Sequence, residues 1–293
     1  MTRDETLHSR RVVVGVDASG HAARAATWAA AEAQERGLPL HIIHALDSDP
    51  SSALYEPGVH AEHVHTAGEA GGKLLAQVAH HVLETHPQLE VTTELVRAGA
   101  AGALVTASGD ADLVVVGTRG RGGFAGLPLG SVSARLVAHA HCATVVVRGY
   151  DHDDERTGEV VLGMQDDQAD EAIRFAFEQA VRYGAALRAV HAWAPYPAHA
   201  QDYLSETDIL ARQAAERMIE QLKAMREKYP DVPVAISVQR GHPSAVLADA
   251  STSARLVVVG AHRRLAPLSL GVGPVIHGLL GHVHAPVAVV PIR

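Results

Sequence analysis

The chain has 293 residues, 47% of them hydrophobic and 20% charged, with a formal net charge of −8. That balance excludes a disordered or fibrous chain. Lysine occurs only at 73, 223 and 228, so no dense basic patch exists to neutralise a phosphate backbone, and nucleic acid is excluded as the main partner.

Residues 1–11 are charged and contain no signal-peptide core. No apolar run reaches the roughly 18 residues that a membrane span needs. The expectation is a cytoplasmic protein with no membrane partner. One cysteine, Cys142, rules out an internal disulfide framework and a cysteine-rich zinc module.

An apolar run at 12–16 opens the predicted elements. A helical pattern follows from about Ala22 to Arg36 and stops at Gly37. Next come a strand at 40–45, a long connection, and a helix at about 67–85 bounded by His86-Pro87. A strand at 91–96, a helix at about 101–108, a strand at 113–117, a helix at about 131–140 and a strand at 144–148 complete the series. The runs at 113–117 and 144–148 are continuously apolar and β-branched, as strands buried on both faces require.

The series then repeats. Leu113 to Gly117 recurs as Leu256 to Gly260, and Thr144 to Val147 as Val287 to Val290, both at an offset of about 143 residues. Leu40 to Ala45 matches Leu187 to Ala192, and Val13-Val14-Gly15 matches Val161-Leu162-Gly163. A period of this length is a duplicated domain. The polar stretch Asp151 to Gly158 reads as a linker. The predicted organisation is a domain at 1–149, an acidic linker at 150–157 and a second domain at 158–293. Strands alternating with helices predict an α/β fold. Each copy is expected to form a doubly wound, open, parallel five-stranded sheet of Rossmann-like type. Such sheets bind ligands beyond the carboxyl ends of their strands, where strand order reverses.

The first copy carries a glycine-rich loop between its fourth strand and the helix near Ser131. Six glycines fall within the 14 residues from Gly117 to Gly130. Glycines let backbone N–H groups approach phosphate oxygens, and a helix N-terminus adds free donors and a positive dipole end. Arg119 and Arg121 supply charge, and Ser131 a hydroxyl. The bland alternative is a flexible turn with Ser131 or Ser133 as an N-cap. Gly120 to Ala125 also fits the dinucleotide pattern G-x-G-x-x-G/A, but follows a late strand and has no acidic residue at the right distance. Gly71-Gly72-Lys73 resembles the end of a P-loop but lacks both anchors. No nucleophile elbow occurs.

Gly117-x2-Gly120-x9-Gly130-Ser131 resembles the nucleotide loop of the universal stress protein family. The opening strand, Val12 to Ser19, resembles that family's V-G-V-D-x-S, and 187–193 its second strand. The likeness extends over both copies, in a tandem form. It implies an adenine-nucleotide α-hydrolase-like fold and ATP as ligand, with Mg²⁺ as companion cation. Carried over by position, the implied ligand-binding residues are Asp17, Ala45, Gly117, Arg119, Gly120, Gly130, Ser131 and Val132. Ala45 would face the adenine. From the residues alone, Asp17 also reads as an N-cap or turn residue.

The second copy departs from this pattern. Arg263 stands where the second motif glycine belongs, Pro274 replaces Ser131, and Gln165 aligns with Asp17. Proline offers neither an N–H nor a hydroxyl. The second domain is therefore expected to bind ATP weakly or not at all. No Walker lysine is present, and no carboxylate is evidently placed to hold Mg²⁺ and activate water, so no catalytic residue is assigned.

The expected function is a nucleotide-binding stress regulator, whose ATP occupancy orders the loop and changes what a regulatory protein partner meets. The alternative is a hydrolase or adenylate-transferring enzyme of the related α-hydrolase-like group. The fifth strands are short, apolar edges. The resemblance implies that they pair the two domains within the chain, with homodimerisation as a further expectation.

Histidine stands out at 20 residues. His60, His63, His65, His80 and His81 cluster in the first copy, but no carboxylate or cysteine arrangement completes a recognised metal site. His139, His141, His282 and His284 recur in register at helix ends, where an imidazole can satisfy free carbonyls or favour the helix dipole. His44 and His191 repeat at a strand end.

Overall fold

The computed structural model describes residues 10–46, 57–120, 129–148, 158–165, 170–193, 203–262 and 273–292. The chain divides into two compact units, one built from the elements up to Val147 and the other from those after it. In the first, β1 (Val12–Gly15), α1 (Gly20–Arg36), β2 (Leu40–Ala45), α2 (Pro57–Thr85), β3 (Val91–Val96), α3 (Ala100–Ala107), β4 (Leu113–Gly117), α4 (Ser131–His139) and β5 (Ala143–Val147) follow in order. The second contains β6 (Glu159–Met164), α5 (Asp170–Tyr183), β7 (Leu187–Trp193), α6 (Tyr203–Lys228), β8 (Val234–Arg240), α7 (Pro243–Ala250), β9 (Ala254–His262), α8 (Pro274–His282) and β10 (Val287–Ile292).

Each unit is a parallel five-stranded sheet. The first has the order β3-β2-β1-β4-β5, and the second β8-β7-β6-β9-β10. Strand order reverses between β1 and β4 in one unit and between β6 and β9 in the other. The central strands are valine-rich and fully enclosed: Val12, Val13, Val14, Val114 and Val115 have no exposed surface. Helix α1 presents Ala22, Ala25, Ala26, Ala29, Ala30 and Ala33 as buried residues. These small side chains let its axis approach the sheet closely.

Helix α1 begins at Gly20, two residues before its predicted start, because Ser19 caps it. The Ser19 hydroxyl accepts from the Ala22 N–H at 3.2 Å. It ends as expected at Gly37, which takes φ +63°. Helix α2 begins at Pro57, ten residues before the predicted start, so part of the long connection is helical. Gly71 in α2 is a packing residue: a Cβ there would lie 2.7 Å from Leu95 Cδ1 and 3.0 Å from His44 Cδ2. Among the described residues no helix is long and apolar enough to cross a membrane.

The duplicated units solve one packing problem with different chemistry. At the far end of α1, Arg36 donates to Glu32 at 2.6 Å and to Asp112 at 2.5 Å. The Glu32 side chain is 1% exposed and that of Arg36 6%. The equivalent positions in the second unit are Gln179, Tyr183 and Arg255. There the Gln179 amide donates to the Tyr183 hydroxyl at 2.9 Å, and the Arg255 guanidinium lies 3.5 Å over the Tyr183 ring. An ionic cluster in one copy is an amide, aromatic and cation–π cluster in the other.

A buried carboxylate that loses its counter-charge is costly. Arg36→Leu takes that counter-charge from Glu32. The substitution is expected to destabilise the protein by about 3–5 kcal/mol, read by denaturant unfolding. An unchanged midpoint would show that the cluster is solvated.

Cys142 lies beside Asp112, between α4 and β5. Burial first, and then the Asp112 carboxylate, push its thiol from 9.0 up to about 12. The native state thus favours the thiol over the thiolate. The stabilisation from this group is complete below pH 9 and is lost as pH rises from 9 towards 12. In the native protein Cys142 should resist alkylation by iodoacetamide at pH 8, and react readily once denaturant unfolds it.

Candidate functional site

The site is built where strand order reverses, from the chain leaving β1 and the chain leaving β4. After β1, Asp17 turns back on itself: its Oδ1 accepts from the Ser19 N–H at 2.9 Å. This turn, followed by the Ser19 cap, starts α1. The N-cap of α1 is thus Ser19, which overturns the reading of Asp17 as the cap. The other carboxylate oxygen of Asp17 faces the glycine loop. A Cβ on Gly120 would lie 2.4 Å from Asp17 Oδ2, so a side chain there requires the carboxylate to swing aside.

After β4 the chain crosses under α1. A Cβ on Gly117 would lie 2.8 Å from both the carbonyl carbon and the carbonyl oxygen of His21. Thr118 follows, 2% exposed, with its hydroxyl 3.3 Å from His21 Nδ1. The same ring nitrogen receives a hydrogen bond from the Arg24 guanidinium at 2.9 Å. Since arginine only donates, Nδ1 accepts here and the ring proton sits on Nε2.

The two ends of the glycine loop meet. The Gly130 N–H donates to the Thr118 carbonyl at 2.8 Å, and a Cβ on Gly130 would sit 3.4 Å from Arg119 Cα. The Ser19 hydroxyl reaches the Arg119 carbonyl at 3.5 Å. Gly130 is the N-cap of α4 and has no side chain to cap it. Ser131, exposed, and Val132, half-buried, form the first turn. Neither serine therefore serves as the N-cap. Ser133, 4% exposed, instead donates to the Gly117 carbonyl at 2.7 Å.

Of the positions singled out in the sequence, Asp17, Gly117, Arg119, Gly120, Gly130, Ser131 and Val132 thus come from two segments that meet at the carboxyl end of the sheet. Ala45 lies at the end of β2, next to β1, and is half-buried. Its neighbour His44 crosses to β1, with Nδ1 2.8 Å from the Val16 carbonyl. Arg121 lies outside the described residues, as does the loop from 121 to 128.

The same arrangement invites comparison with known proteins. The sequence profile of the Universal stress protein family matches residues 8–148 and again 158–291. The chain belongs to the universal stress protein family. A universal stress protein of Mycobacterium bovis is 33% identical over 285 residues, covering 95% of this chain and 96% of the relative. Another, from Mycobacterium tuberculosis, is 34% identical over 282 residues, covering 90% of each. Among solved structures, a universal stress protein from Archaeoglobus fulgidus superimposes with a TM-score of 0.68 at 15% identity. It covers 97% of this chain and 98% of that one. At this identity the likeness concerns the fold.

In the second universal stress protein unit the corresponding positions are built differently. Gln165 is exposed and its amide donates to the Gly260 carbonyl at 3.4 Å. Pro274 begins α8 behind Gly273. Strand β9 runs on through Ala261 and His262, which pair with Pro291 and Ile292 of β10. Arg263 lies outside the described residues.

His21 and Thr118 escaped the sequence reading, and Ser133 entered it only as a cap candidate. Their contacts join residues 12 or more apart, which no local motif records. Among the described residues no group of three or more His, Cys, Asp or Glu is arranged to hold a metal ion. His65 instead pairs with Glu69, and His80 with Glu84, along one helix. His60 and His63 have no described side chains.

Gly117 and Gly120 should respond unequally to an added methyl. At Gly117 the methyl meets backbone, which cannot swing aside. Gly117→Ala is expected to cost about 1–3 kcal/mol. At Gly120 it meets a carboxylate that can rotate, so Gly120→Ala should cost less. Thermal unfolding of both variants checks the order.

Proposed function

We propose that the first unit binds an adenine nucleotide, ATP in the first instance, and that the protein acts as a regulator rather than an efficient enzyme. The observation that carries this reading is the meeting of Asp17 with Gly120 beside the uncapped start of α4. Glycine positions and a helix N-terminus offer backbone N–H groups to phosphate. Arg119 adds positive charge, and the Ser131 hydroxyl a further donor. Asp17, turned towards the loop, suits a ribose hydroxyl or adenosine edge. Ala45 leaves room for the base at the end of β2. The residues present suit such a ligand; Mg²⁺ would accompany the phosphates as their own counter-ion.

The second unit, in this proposal, holds nucleotide weakly or not at all. Gln165 lacks the charge of Asp17 and spends its amide on Gly260. Pro274 cannot donate where Ser131 can. Occupancy of the first unit sets the conformation of the glycine loop, and with it the surface offered to a regulatory protein partner.

Nucleotide released by heat-denaturing the purified protein tests the reading, together with an ATP titration and a turnover assay. The expected result is one adenine nucleotide per chain with negligible turnover, and loss of binding in Gly130→Val. Rapid release of AMP or pyrophosphate would instead establish an α-hydrolase-like enzyme. Equal filling of both units would overturn the assignment to the first.

A further inference from the structure

The two units carry the same residue at the end of the fourth strand, Gly117 and Gly260, yet treat its carbonyl differently. In the first unit the Ser133 hydroxyl donates to the Gly117 oxygen at 2.7 Å, and the bond is buried. In the second, Ile276 occupies the position of Ser133 and has no hydroxyl. The Gly260 oxygen there accepts a hydrogen bond from the Gln165 amide at 3.4 Å. Gln165 stands where the first unit has Asp17. The donor to one strand-end carbonyl has thus moved from the helix after the loop to the turn after the first strand.

This exchange has a chemical logic. An ionised Asp17 can only accept, so it cannot serve that carbonyl. With Ser133 as donor, the Asp17 carboxylate lies against Gly120 instead. With Gln165 as donor, the equivalent side chain is directed to its own sheet. The chain beyond the carbonyl also differs. In the first unit Thr118 leaves the ladder and its carbonyl accepts the Gly130 N–H, closing the loop. In the second, Ala261 and His262 stay in the ladder beside Pro291 and Ile292.

We propose that Ser133 is a positioning residue for the nucleotide loop. Its hydroxyl holds the Gly117 carbonyl towards α4, which lets Thr118 turn out of the sheet and meet Gly130. His21 supports the same turn from the opposite side, through its backbone against Gly117 and its ring against Thr118. The effect on affinity rests on the nucleotide reading above; the effect on the loop does not.

The test compares the full chain with Ser133→Ala, which removes the hydroxyl, and Ser133→Thr, which keeps it. Amide hydrogen exchange at Gly130 and ATP titration are the two readouts. In Ser133→Ala, exchange at the Gly130 amide should accelerate while the β1 amides stay protected. ATP affinity should fall about tenfold, the scale of one buried hydrogen bond. Ser133→Thr should restore both. Unchanged Gly130 exchange in Ser133→Ala overturns the positioning role, whether or not ATP binds. Unchanged affinity in Ser133→Ala, beside a Gly130→Val variant that has lost binding, removes the link to the ligand and leaves the nucleotide site standing. Accelerated exchange in Ser133→Ala, beside a parent chain that binds no ATP, leaves the positioning role and removes the nucleotide reading.

Discussion

The carbonyl of Gly117 is the constraint around which the candidate site is organised. It is the last polar group of a buried strand, at the point where strand order in a parallel sheet reverses. A buried carbonyl there must be satisfied. The residue that carries it can have no side chain, because the first turn of α1 passes within contact distance. Ser133 and His21 thus hold one peptide from opposite sides. The loop leaves the sheet at a defined place because this peptide cannot move.

Duplication shows which parts of the arrangement belong to the fold and which to the site. His44 and His191 each reach from the second strand to a carbonyl at the end of the first, at 2.8 and 3.2 Å. The backbone N–H groups of His141 and His284 each donate to a serine hydroxyl, Ser108 or Ser251, at 2.9 Å. These contacts persist in a unit that lacks the loop motif, so they serve the sheet. By contrast, Asp17, Gly120, Ser131 and Ser133 have all changed together. The cluster at the opposite end of α1 has also changed as a set, from Glu32, Arg36 and Asp112 to Gln179, Tyr183 and Arg255. That change lies far from the loop and keeps the helix docked by other means.

The alternation of elements was readable because it follows from side-chain periodicity and from glycine at chain reversals. The valine runs of β4 and β5, and Gly37 at the end of α1, are local statements of local structure. The positions of the site motif were readable for the same reason, since Gly117, Gly120 and Gly130 mark close approaches of backbone. The start of α2 at Pro57 was not, because 57–66 reads as a polar connection with no apolar stripe to set a period. Strand β9 was longer than its apolar run because Ala261 and His262 are held by their β10 partners, which no local pattern announces. Ser133 was read as a cap candidate because a serine near a helix start usually is one. Only its partner, 16 residues upstream, reveals another task.

The histidine excess dissolves on the same grounds. The imidazoles of His44 and His191 on the second strands reach the Val16 and Met164 carbonyls, and that of His282 reaches Gly278 within α8 at 3.0 Å. Where an imidazole does not repeat, as at His65 and His80, it pairs with a glutamate one helical turn away. His21 is different. Its ring accepts from Arg24 on one nitrogen and so presents a proton on the other, while its backbone sets the room available to Gly117. Protonating Nδ1 would turn the Arg24 contact from attraction to repulsion, beside the peptide on which the loop depends. His21 thus joins α1 to the peptide on which the geometry of the candidate site depends.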